Sequence, residues 1–272
     1  MNKINQLVRN ILLFLTIIGV SSAWQKMVHP PMPDYPKDTN PPGGPLKFYA
    51  AMDGWSVDSI RANFATDNNV NYVDGVSGTA VSFDKLKKGF VQYPGANDFG
   101  TQTNFSVSFW FNAGDISNKD HVNADGILAF GKTSDFWGNL TIYADHEAST
   151  ADSMILNVVL GGNWIQYNGP TTRIANMYNN QWHHWVFTYD ATSSTYTFYI
   201  DGQQYDQRNV TGVAFADASV LVIGGFEQAA GVQGTYADNS WMSPFPGAID
   251  QVRLYGTVLS ASDVTALYNS KL

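Results

Sequence analysis

The chain has 272 residues, of which 44% are hydrophobic, 14% aromatic and only 14% charged, with a formal net charge of −8. The acidic balance excludes the basic footprint that nucleic-acid binding needs. The absence of cysteine excludes disulfides, thiolate metal sites and a Cys nucleophile. Such a chain is long enough for one large all-β domain, held by core burial alone.

In chain order, residues 1–23 read as a signal peptide. Lys3 and Arg9 form a positive n-region, Ile11 to Val20 an apolar h-region, and Ser21-Ser22-Ala23 a small-residue cleavage site. The apolar run is too short for a stable span, so no transmembrane segment is expected in the mature chain. Val20-Ser21-Ser22-Ala23 is similar to a bacterial lipobox, except that Ala23 stands where that motif has Cys. An outer-membrane lipoprotein is expected only if residue 23 is natively Cys; otherwise the expectation is an exported protein at the cell surface, in the periplasm or secreted. Residues 24–45 carry seven prolines and read as an extended linker.

From residue 46 to 272 the apolar period is two. Phe105-Ser-Val-Ser-Phe109 and Thr195-Tyr-Thr-Phe-Tyr-Ile200 alternate, and Asp201-Gly202 between strand-like runs is a strong hairpin signal. Further short strands are predicted at 80–83, 90–93, 127–130, 140–143, 154–160, 184–189, 220–223 and 248–254. There is no βαβ rhythm, so the expected architecture is an all-β, two-sheet antiparallel jelly-roll sandwich. One short C-terminal helix closes the chain. Ser260 and Asp263 form its capping signal, and Val264, Leu267 and Tyr268 its apolar stripe. Trp110, Trp182 and Trp185 are expected to fill the core.

Six segments in order carry a family resemblance: Gly78 to Phe83, Phe105 to Phe111, Gln181 to Asp190, Tyr199 to Gly202, Gly247 to Tyr255 and Leu259 to Tyr268. Together they resemble the laminin-G-like, concanavalin A-like jelly rolls of bacterial exported proteins. The resemblance implies the fold; it leaves the function among lectins, glycosidases and adhesion modules. It also implies a structural Ca2+ near the junction of first and last strands, with Asp53 and Asp250 at the matching acidic positions. The alternative for each is a turn cap.

Glycosidases of this fold place two carboxyl groups across the scissile bond. This chain has two glutamates, Glu147 and Glu227, and no E-x-D-x-E pattern. Sugar sites instead combine exposed aromatics with amides and carboxylates. Three segments have that mixture: Asp135 to Asn139, Gly162 to Asn168, and the insert Phe226 to Pro246. The expected ligand residues are Trp137, Trp164 and Trp241 as platforms, with Asn139, Asn163, Glu227 and Tyr236 beside them. The leading expectation is non-catalytic binding of a polysaccharide or other glycan. A protein-binding adhesion or scaffold module with a surface-protein partner, and a glycan-active hydrolase, are the alternatives.

Overall fold

The structure, a computed structural model, describes residues 44–232 and 239–271. The expected signal peptide, nearly all of the linker and Tyr236 lie outside those residues. Two sheets form the sandwich. The first runs in the order β15 (Gln203–Asn209), β14 (Thr195–Ile200), β13 (His183–Asp190), β8 (Phe105–Asn112), β18 (Ala248–Tyr255), β1 (Leu46–Ala50), β2 (Val57–Asp58), β3 (Asn63–Phe64). β6 (Thr79–Phe83) pairs with the first residues of β18, and β5 (Val70–Asp74) pairs with β6. The second sheet runs β12 (Asn163–Tyr167), β11 (Ile155–Leu160), β10 (Leu140–Asp145), β9 (Ala124–Lys132), β16 (Ala218–Ile223), β7 (Phe90–Tyr93), β4 (Thr66–Asn68). β17 (Met242–Pro244) lies parallel to the start of β9. Every other pairing among the described strands is antiparallel, as the alternating sequence predicts.

Alternation decides which side chains meet between the sheets. On β8, Phe105, Val107, Phe109 and Phe111 point inward and are buried. Phe111 packs on Trp185 of β13 at 4.2 Å, and Phe187 stacks on Phe198 at 4.5 Å. Ile142, Leu156, Val158 and Ile165 supply the facing layer. Trp110, between two inward phenylalanines, must point the other way. It is buried on the outer face beneath α1 (Ala261–Ser270), stacked on Tyr268 at 5.5 Å. Trp110 is therefore buried as expected, but beneath the helix and not between the sheets, and Trp182 is only half-buried. Ser260 and Asp263 close the helix N-terminus in a reciprocal capping box, and Val264 is its buried anchor. The Asp201-Gly202 turn forms with φ of 51° and 79°, as its residue types require.

Both central histidines are structural. His184 shares a hydrogen bond with Ser108 at 2.9 Å, and burial pushes its pKa down to about 4. His183 reaches Asp201 at 2.9 Å. β18 bends midway: Gln251 has a φ of 53°, and the register against β8 shifts between Asp250 and Arg253. This bulge lets one strand pair with β6 at its start and β1 at its end. Among the described residues no helix is long and apolar enough to cross a membrane.

Candidate functional site

The outer face of the second sheet carries the site. Inward positions on β10, β11 and β12 are apolar, so alternation turns Thr141, Tyr143, Asn157, Val159, Trp164 and Gln166 outward. Register places Tyr143, Asn157 and Gln166 in one row and Thr141, Val159 and Trp164 in the next. A sheet face with this mixture of rings and amides needs a cover or a partner.

Aromatic side chains from three distant segments supply it. Trp137, in the β9–β10 loop, stacks on Tyr143 at 5.4 Å and 13° between planes. Trp164 from β12 meets Trp137 edge-on at 4.7 Å, and Trp241, just before β17, lies at 5.9 Å on a tilt. Phe136 and Phe226 complete the floor, with Phe226 6.0 Å from Trp241. Trp164 keeps 47% of its surface exposed and Trp241 37%, whereas Tyr143 and Phe226 are buried. The result is a rigid aromatic shelf with two rings open to solvent. The three expected platforms thus lie in one cluster.

The polar residues expected beside them do different work. Asn139 is buried; its amide donates to the Gly131 and Ala216 carbonyls, both at 3.0 Å, and accepts the Ala216 N–H at 2.9 Å. Glu227 is also buried and accepts the Lys132 N–H at 2.8 Å; burial pushes its pKa up to about 7, with Asp135 adding to the rise. These two expectations of direct ligand contact are corrected, because all described polar contacts of Asn139 and Glu227 hold backbone. They fix the two ends of the loop that carries Trp137. Inside the loop, Asp135 accepts the Trp137 N–H at 2.9 Å and Thr141 donates to the Trp137 carbonyl at 2.5 Å. Gly138, at φ 68°, brings this loop so close that a Cβ would stand 2.7 Å from the Phe130 carbonyl. Asn163 is half-buried and bonds the Leu160 and Thr211 carbonyls at 3.2 Å each, bracing the turn that presents Trp164. Tyr236 lies outside the described residues.

Sequence reasoning missed Tyr143 and Asn157 altogether, and reached Phe136, Gln166 and Phe226 only as members of the three segments. Asn157 donates to Asp145 at 3.0 Å and accepts from Gln166 at 3.1 Å, and Gln166 is exposed. The outward parity of Thr141, Tyr143 and Asp145 was the available signal. Glu147 is buried between Lys119, which bonds its Oε1, and Arg173, 2.9 Å from its Oε2. It does not form an open carboxylate pair with Asp145.

Asp53 and Asp250 meet on one turn at the other sheet. Asp53 accepts the Thr79 N–H at 2.9 Å, and Asp250 accepts the Val76 N–H at 2.8 Å and the Ser77 N–H at 3.3 Å. Both therefore brace the β5–β6 turn, as the turn-cap alternative holds. Asp250 Oδ1, however, is buried with no hydrogen-bond partner, and burial pushes the Asp250 pKa up to about 7. A buried unpartnered carboxylate oxygen near a second carboxylate fits a hard cation that draws further ligands from backbone carbonyls. Among the described residues no group of three or more acidic or histidine side chains gathers round an ion.

The fold and its motifs match the model of the family described as the concanavalin A-like lectin/glucanases superfamily, laminin-G type, over residues 86–265. The chain belongs to this family. Among curated proteins no sequence matches it. One similar solved structure is domain 4 of AbnA, an extracellular arabinanase from Geobacillus stearothermophilus, in complex with arabinotriose. It is 20% identical, with a TM-score of 0.52, covering 82% of this chain and 98% of that one. Another is the binding domain of Botulinum neurotoxin DC in complex with rat synaptotagmin II: 13% identical, TM-score 0.58, covering 84% and 52%. A botulinum neurotoxin type C structure, whose cell entry depends on interaction with two ganglioside molecules, is 12% identical with a TM-score of 0.58, covering 84% and 51%. The chain spans about half the length of these toxin chains.

Proposed function

We propose that this domain binds a glycan on the aromatic shelf, without cleaving it. The observation that carries this is the convergence of Trp137, Trp164 and Trp241 from separate segments, with two rings exposed. Exposed, preorganised aromatic clusters mark interaction sites, and sugar rings offer the apolar faces that stack on them. The arabinanase domain with arabinotriose and the toxin that interacts with gangliosides support a saccharide ligand. Binding without cleavage is supported by the two glutamates, one ion-paired and one buried under a loop. Residues 1–23 support export, with the domain acting outside the cytoplasm. Asp53 and Asp250 support one structural Ca2+.

Native affinity electrophoresis through gels containing a polysaccharide panel tests the reading. Retardation by a glycan, lost in Trp164→Ala and Trp241→Ala while their Tm is unchanged, is the expected outcome. A protein ligand is the second reading, favoured by the toxin binding domain solved with rat synaptotagmin II. No retardation on any glycan would select it.

A further inference from the structure

We infer that the shelf takes a neutral oligosaccharide of at least two sugar rings, in preference to a monosaccharide or an acidic glycan; this rests on the glycan-binding reading. The length argument is geometric. Trp164 stands on β12 and Trp241 beside β17, at opposite margins of the run β12, β11, β10, β9, β17. Both rings lean inward on Trp137, but they meet it at 78° and 45°, so the three indoles share no plane. One sugar ring stacks on one indole face. Two exposed indoles separated by a third, itself backed by Tyr143, therefore offer two stacking positions. A ligand that occupies both must carry two rings.

The charge argument follows from what surrounds the shelf. Asp135 holds the Trp137 backbone, Asp145 ends the row through Asn157, and Glu227 lies beneath the loop. Among the described residues the cation–π contacts, Lys119 on Tyr178, Arg208 on Tyr167 and Arg253 on Tyr49, all involve rings outside the shelf, and Arg208, which reaches the Gln166 carbonyl at 3.4 Å, is ion-paired with Asp206. Carboxylates on a ligand would meet this acidic surround inside a chain of net charge −8. Hydroxyl groups would meet the exposed Gln166 amide, held in place by Asn157.

The test uses the full chain. Affinity gels containing arabinan, xylan, β-glucan or galactomannan are compared with gels containing pectate or alginate. Calorimetry then follows, with oligosaccharides of one to six residues cut from whichever polymer retards the protein. Retardation by a neutral polymer alone, and a trisaccharide binding at least 30-fold tighter than its monosaccharide, is expected. Trp164→Ala and Trp241→Ala should each erase most of that ratio while keeping a single cooperative thermal unfolding transition. Equal or stronger retardation by pectate or alginate overturns the charge preference. A monosaccharide within threefold of the trisaccharide overturns the two-ring shelf. Either result leaves glycan binding standing, whereas no retardation by either class removes both readings.

Discussion

Asn139 and Glu227 act on the shelf from beneath it. Removing the Asn139 amide leaves the Gly131 and Ala216 carbonyls and the Ala216 N–H without their partner. Asn139→Ala should cost about 1–3 kcal/mol in urea unfolding, the range for buried polar groups left unsatisfied. It should also weaken glycan binding, although Asn139 cannot touch the ligand, because Trp137 loses its anchor. Unchanged affinity in a destabilised variant would show that the loop holds its shape without Asn139. Glu227 gives a pH signature. Its pKa is raised in the folded state, so the ionised form is penalised by folding. That penalty is absent below the unfolded value near 4.5, grows as pH rises toward 7, and is constant above. Relative to Glu227→Gln, wild-type Tm should therefore fall between pH 4.5 and 7 and run parallel beyond. The Tm difference across that range is the measurement, and a flat difference would mean that Glu227 ionises freely. These two roles were not legible in the sequence. A polar residue beside a tryptophan reads the same whether it faces a ligand or a backbone carbonyl; only tertiary contacts separate the two.

Elements were more legible than side-chain roles. The Asp201-Gly202 hairpin and the Ser260–Asp263 box rest on local backbone chemistry, which a few residues determine, and both form as expected. β12 lies within the segment Gly162 to Asn168, which its mixture of aromatics and amides marks as a ligand segment. Yet Trp164, Ile165, Gln166 and Tyr167 alternate between exposed and buried, the period of a strand. The convergence of Trp137, Trp164 and Trp241 was beyond sequence reading, since it depends on strand order in the sheet. The same dependence unites Asp53 and Asp250, which lie 26 and 174 residues from their partners Thr79 and Val76. If an ion joins the end of β1, the β5–β6 turn and β18, it stabilises three elements at once. Calcium at 100 times its Kd would contribute about 2.7 kcal/mol, or roughly 5–10 °C in Tm for a domain of this size. Asp250→Asn should abolish the gain. If excess chelator leaves the wild-type Tm unchanged, the two carboxylates are turn caps and nothing more.

At the scale of the molecule, the two sheets divide the labour. The first carries α1 on its outer face, with Val264 and Tyr268 over Val186 and Trp110. The second presents the shelf. One margin of each sheet, β15 and β12, is tied to the other: Tyr167 donates to Asp206 at 2.9 Å, and Arg208 lies over the Tyr167 ring at 4.6 Å. Such tying protects edge strands from pairing with other chains.

β18, in the middle of the first sheet, follows in sequence every strand that it joins. Leu46 pairs with Tyr255, and β8 and β1 share no neighbour until β18 lies between them. Contacts so distant in sequence make folding slow. A chain ending at residue 247 should show no cooperative unfolding transition by tryptophan fluorescence, and a normal transition would mean the remaining strands suffice. Without β18 the first sheet is left as separate groups of strands, β15-β14-β13-β8 and β1-β2-β3, with β5-β6 apart from both. β18 is thus the single pin of the first sheet, and any force that draws this one strand out parts the sheet into those pieces at once.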